Sequence, residues 1–226
     1  MTAGSPNFGE RRGRARPSLI VLHYTGMESC EAARARLCDP VAEVSAHWLI
    51  SETGKVEALV PEEARAWHAG AGVWAGIDDV NSHSIGIELA NSGTHPFAEP
   101  QMSALERLLP AIMARWSIPP HRVIGHSDMA PARKSDPGPR FDWCRLARQG
   151  LAIWPERLLL APANDAAAFR AAAHAIGYDP SLPDDLLLRA FRLRFCPWSD
   201  GPLRPDDLAR ASALARLSID RSGQPA

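Results

Sequence analysis

The first apolar run sets the tightest limit on what this chain can fold into. Ser18–Tyr24 is short and apolar, contains β-branched residues, and runs directly into a histidine. A run of that length ending in polar residues reads as a buried strand. Ala46–Ser51 and Lys55–Val60 flank Glu52-Thr53-Gly54, a glycine-containing loop of hairpin length, so the pair reads as a β-hairpin. Ile85–Leu89 alternates between polar flanks, and Arg122–Gly125 makes a further short strand. Between these strands lie helical segments. Cys30–Leu37 has helical composition with Pro40 just beyond it, and Pro100 opens a helix in which Met102, Leu105, Leu109, Ile112, Met113 and Trp116 recur at helical spacing. Pro119-Pro120 stops that helix. Interleaved elements with one hairpin predict an α/β (α+β) fold: a mixed central β-sheet flanked by helices, not a purely parallel one.

The 226 residues leave room for a second, smaller unit. Residues 1–16, with Arg11, Arg12, Arg14 and Arg16, have the positive region of a secretion signal without the apolar stretch that should follow. They are expected to form a flexible basic arm on a cytoplasmic protein. Residues 17–150 would form the main domain and 151–163, with Pro155 and Pro162, a linker. Residues 164–226 would form a small C-terminal three-helix domain from Ala166–Ile176, Asp184–Phe195 and Asp206–Leu217, with a thin core of its own. The formal net charge of -1 gives no global attraction to nucleic acid or to an anionic membrane. No apolar run approaches the ~20 residues of a membrane span, so no membrane insertion is expected. Cys30, Cys38, Cys144 and Cys196 fit no paired metal spacing. In a reducing compartment they read as thiols, with Cys30–Cys38 the one pair that export would allow to bridge.

Among eight histidines, context singles out two. His23 ends the first strand and His126 ends the strand Val123-Ile124-Gly125, places where a rigid sheet presents side chains to a cleft. Ten residues past His126 comes Asp136, inside Lys134-Ser135-Asp136-Pro137-Gly138-Pro139, whose Pro-Gly-Pro makes a stiff turn. Two neutral imidazoles and one carboxylate suit a tetrahedral zinc ion with one open position. The spacing alone forms no compact metal motif. Glu88 carries two readings: a functional carboxylate in an apolar strand, or a solvent-facing residue pointing away from Ile85, Ile87 and Leu89. His95, His121 and His174 read as surface residues and Cys144 as packing.

Six strings, spread in order over residues 17–147, resemble those of the zinc-dependent type-2 N-acetylmuramoyl-L-alanine amidases, a family related to the peptidoglycan recognition proteins of animals. They are Leu22-His23-Tyr24-Thr25, Ser45-Ala46-His47-Trp48-Leu49-Ile50, Ala66-Trp67-His68-Ala69-Gly70, Ile85-Gly86-Ile87-Glu88-Leu89, Gly125-His126-Ser127-Asp128 and Arg133-Lys134-Ser135-Asp136-Pro137-Gly138-Pro139. The resemblance implies one Zn²⁺ on His23, His126 and Asp136, Glu88 as the base that activates water, and Lys134 facing the developing oxyanion. Tyr24, Trp67, His68, Trp74 and Asn81 lie in segments similar to the family's substrate groove. His47 stands between a groove contact and a structural hydrogen bond. The C-terminal helices look like a small peptidoglycan-binding domain, with a purely stabilising cap as the alternative. The implied reaction is hydrolysis of the amide between N-acetylmuramic acid and L-alanine, on 1,6-anhydro-muropeptides in cell-wall recycling. The alternatives are an envelope amidase acting on intact peptidoglycan and a non-catalytic recognition module. The expected partner is the muropeptide or peptidoglycan substrate of a monomeric protein, without nucleic acid.

Overall fold

The computed structural model describes residues 4–155 and 165–219. In chain order its elements are β1 (Phe8–Gly9), β2 (Leu19–Tyr24), α1 (Cys30–Leu37), β3 (Trp48–Ile50), β4 (Val56–Ala58), β5 (Arg65–Ala66), α2 (Val80–His83), β6 (Ser84–Leu89), α3 (Glu99–Trp116), β7 (Val123–Gly125), α4 (His126–Met129), α5 (Trp143–Arg148), α6 (Ala166–Ile176), α7 (Asp184–Phe195) and α8 (Pro205–Ile219). Five strands form a sheet in the order β4-β3-β6-β2-β7. β3, β6, β2 and β7 run parallel, and only the hairpin partner β4 runs antiparallel. This is the mixed sheet that the interleaved pattern predicts. No helix among the described residues is long and apolar enough to cross a membrane.

Alternation along β2 builds a core on each face. Ile20 and Leu22 join Ile85, Ile87 and Leu89 of β6 against Met102, Leu105, Leu109 and Ile112 of α3, which explains the helical period of that stripe. Leu19 and Val21 point the other way, where they meet Ile124, Trp74 and the C-terminal residues Phe169, Phe191 and Phe195. Each fully buried Leu or Ile contributes roughly 1.5–3 kcal/mol relative to an exposed one, so neither face can be left bare.

That second layer corrects the expected domain division. The C-terminal helices do not enclose a thin core of their own, because α6, α7 and α8 share one apolar cluster with a face of the central sheet. Leu151, Ala152 and Ile153 of the expected linker are buried in the two clusters, while residues 156–163 lie outside the described residues. Arg194 of α7 reaches beneath the sheet edge. Its side chain pairs with Asp128 at 2.7 Å, donates to the Val123 carbonyl at 3.0 Å and lies 4.1 Å over the Trp143 ring. The Tyr178 hydroxyl donates to the other Asp128 oxygen at 2.9 Å.

The expected flexible arm is also corrected, over residues 4–16. β1 pairs antiparallel with β5, and Ser5 and Asn7 are buried. The Arg11 guanidinium donates to the carbonyls of Ser82 and Glu62 at 2.7 Å each and to that of Ser84 at 3.1 Å. Desolvation by burial pulls its pKa down to about 10. These acceptors lie far along the chain, so a run of arginines that looks solvated in sequence is partly consumed inside the fold. All four cysteines are free thiols.

Because the Asp128 and Arg194 side chains are 0% and 2% exposed, removing one leaves an uncompensated buried charge. Arg194→Met is expected to cost about 3–5 kcal/mol in chemical denaturation. A loss below about 1 kcal/mol would contradict a C-terminal layer that is integral to the fold.

Candidate metal centre and active site

Strand register brings the chemistry together. β2 and β6 are parallel with His23 directly beside Glu88, and β2 and β7 are parallel with Leu22 beside Gly125. His126, the next residue, opens α4 at the same carboxyl end of the sheet. Asp136 arrives from the loop after α4, where the Ser127 N–H donates to the Asp136 carbonyl at 2.9 Å. Glycine is needed at 125, since a Cβ there would lie 2.7 Å from the Pro137 ring.

Three acceptor atoms converge. His23 Nδ1 lies 2.9 Å from His126 Nδ1 and 2.8 Å from Asp136 Oδ2, and the last two are 3.1 Å apart. All three residues are buried. The other ring nitrogen of His126, Nε2, faces the Ala69 carbonyl at 2.8 Å. A carbonyl only accepts, so Nε2 carries a proton, and Nδ1 is the nitrogen left to face His23 and Asp136. Burial and the neighbouring His126 push the His23 pKa down to about 4, which keeps the His23 ring neutral. Two imidazole nitrogens and a carboxylate oxygen pointed at one another repel unless a cation lies among them. Ligands about 2.0–2.1 Å from a tetrahedral zinc sit roughly 3.3 Å apart, close to the spacing of these donors.

Glu88 stands beside these three residues. β6 alternates, so Glu88 does point away from Ile85, Ile87 and Leu89, but that face is not open solvent. It lines a cavity of about 320 Å³ with His23, Tyr24, Trp67, Lys134 and Asp136. Its Oε2 is buried without a hydrogen-bond partner among the described residues. Burial, aided by the charge of Asp136 and opposed by Lys134, pushes the Glu88 pKa up to about 8. Lys134 is exposed at the mouth, and the Tyr24 hydroxyl pairs with Ser135 Oγ at 2.9 Å.

Three of the five expected groove residues serve other ends. Trp74 is 1% exposed and packs edge-on against Tyr178 at 5.0 Å, so it is core and not groove. Asn81 is buried, its Oδ1 accepting the N–H groups of His68 and Ala69 at 3.1 and 2.8 Å, which holds the loop that receives His126. His68 borders the cavity, yet both its ring nitrogens are turned to His23 and Ser84. His47 is structural: its Nδ1 accepts the Gly86 N–H at 2.9 Å. His95 is exposed as expected, while His121 and His174 are half-buried. Arg133, not singled out by its sequence context, donates from Nε to the Ala71 carbonyl at 2.8 Å and reaches the Ala69 carbonyl that His126 also uses. Only the flanking Lys134 and Asp136 could have drawn notice to it.

Comparison with known proteins agrees with this arrangement. The N-acetylmuramoyl-L-alanine amidase family profile matches residues 13–139. The chain is 41% identical over 157 residues to N-acetylmuramoyl-L-alanine amidase AmiD of Escherichia coli, a match covering 62% of this chain and 56% of that protein's length. It is 35% identical over 158 residues to 1,6-anhydro-N-acetylmuramyl-L-alanine amidase AmpD of Enterobacter cloacae, covering 62% of this chain and 84% of AmpD. Among solved structures, E. coli AmiD in complex with anhydro-N-acetylmuramic acid-L-Ala-D-gamma-Glu-L-Lys superposes with a TM-score of 0.78 at 31% identity, covering 97% of this chain and 99% of that one. Pseudomonas aeruginosa AmpDH3 in complex with anhydromuramic pentapeptide gives 0.75 at 30% identity, covering 94% of each. The chain therefore belongs to the N-acetylmuramoyl-L-alanine amidase family.

Proposed function

We propose that this protein hydrolyses the amide joining the lactyl group of N-acetylmuramic acid to L-alanine, with 1,6-anhydro-muropeptides as substrate. The observation that carries the reading is the partnerless Glu88 carboxylate oxygen beside three converging acceptors. His23, His126 and Asp136 would hold one Zn²⁺, which when bound supplies Lewis acidity toward the amide carbonyl and toward water. In its ionised form Glu88 takes a proton from water as the water oxygen adds to the carbonyl carbon, then passes that proton to the departing alanine nitrogen. The products are a lactyl carboxylate and a free peptide amine. Lys134 offers its ammonium to the charge that develops on the carbonyl oxygen. Tyr24 and Trp67 wall the cavity and orient the muramyl and peptide arms.

The anhydro sugar is supported by the names of the AmpD relatives and by the ligands of the two solved neighbours. It makes the reading one of wall recycling, in the cytoplasm. For the C-terminal helices we propose a peptidoglycan-binding surface. A cavity of about 560 Å³ opens there, with Phe169, Leu188, Leu193 and Arg189 in its wall. Trp198, between the lining residues Pro197 and Ser199, is 68% exposed.

Incubation of zinc-loaded protein with purified anhydro-muropeptides should release free peptide. Glu88→Gln is expected to keep its zinc and lose about 10²–10⁴ in turnover; near wild-type turnover would remove Glu88 as the base. Asp136→Ala should lose zinc by elemental analysis, and full occupancy would contradict the ligand assignment. Binding of the wild type without any turnover would leave a recognition module.

A further inference from the structure

The face of β6 that carries Glu88 also carries Ser84 and Gly86, and neither touches the cavity. Both instead serve His68. Its Nδ1 lies 3.0 Å from His23 Nε2, and its Nε2 lies 3.1 Å from Ser84 Oγ. Ser84 Oγ in turn donates to the Val80 carbonyl at 2.5 Å. His23, His68 and Ser84 are all buried. Gly86 makes the room, because a Cβ there would lie 2.4–2.6 Å from the atoms of the His68 ring. His47 holds that backbone in place through the Gly86 N–H and meets the His68 ring edge-on at 5.7 Å.

The direction of this relay follows from its end. The Val80 carbonyl can only accept, so the Ser84 hydroxyl donates to it and must receive from His68. His68 therefore carries its proton on Nε2 and offers a bare Nδ1. Facing that acceptor, His23 must donate from Nε2, which leaves its Nδ1 bare toward His126 and Asp136. We propose that His68 is a positioning residue that fixes, through Ser84 and the Val80 carbonyl, the His23 tautomer whose bare Nδ1 faces the metal site. The proposal rests on the reading of His23 as a metal ligand. Outer partners of this kind set the orientation and basicity of a ligating imidazole, and their loss usually weakens metal binding about 10–100-fold.

The test compares wild type, His68→Phe, His68→Asn and Ser84→Ala. Zinc affinity is measured by chelator competition, the His68 tautomer by ¹⁵N NMR of the zinc-loaded protein, and thermal unfolding serves as the control for folding. The wild type should show His68 protonated at Nε2 and bare at Nδ1. His68→Phe, which keeps a ring but removes the acceptor, should bind zinc about 10–100-fold more weakly. His68→Asn, which restores an acceptor near the Nδ1 position, should recover most of that loss, and Ser84→Ala should weaken binding in the same direction. A wild type that fails to bind zinc would overturn the metal reading and this inference together. A wild type that binds zinc, with His68→Phe binding as tightly, would overturn this inference alone. So would a His68 protonated at Nδ1, a result that needs no variant to fold.

Discussion

Two imidazole nitrogens and one carboxylate oxygen lie within 3.1 Å of one another in a buried place, an arrangement that a cation among them would stabilise. Much of the surrounding structure can be understood as what keeps them there. His126 is turned inward by the Ala69 carbonyl, which Arg133 also grips. Asn81 fixes that carbonyl's loop by accepting the N–H groups of His68 and Ala69. Asp136 hangs from the Ser127 N–H, one residue beyond His126.

The sheet supplies the second level of order. Parallel register sets His23 beside Glu88, so pairing of β2 with β6 places the proposed ligand next to the proposed base. The two faces of β2 are closed differently: α3 covers one, and the C-terminal helices cover the other up to the site. Asp128, two residues past His126, is neutralised by Arg194 from α7, and its Oδ2 also accepts the Gly125 N–H at 2.8 Å. The helical layer therefore supports the turn that carries His126, the proposed ligand.

Much of this was legible in the sequence where the signal was local. The strand ending at His23, the hairpin around Glu52-Thr53-Gly54 and the stripe of α3 follow from periodicity and punctuation, and the structure has them. His23, His126 and Asp136 stood out by position and by resemblance, and the fold brings them together. What stayed hidden depends on partners distant in the chain. Trp74 has the look of a groove residue until Tyr178 packs on it from the C-terminal layer. Arg11 reads as part of a solvated basic run until four carbonyls from residues 62–84 surround it. Glu88 was ambiguous because alternation tells which residues share a face but not whether water, core or a catalytic cavity lies against it. Ser84 and Gly86 share its face four and two residues away, a local signal that gains meaning only with His68 in place.

The central claim is that His23, His126 and Asp136 form one metal site. X-ray absorption at the zinc edge of the zinc-loaded protein tests it most directly. The account predicts a first shell of nitrogen and oxygen only, at about 2.0–2.1 Å, with the outer-shell pattern of two imidazoles. A sulfur scatterer at about 2.3 Å, or a bound zinc without imidazole ligands, would contradict it.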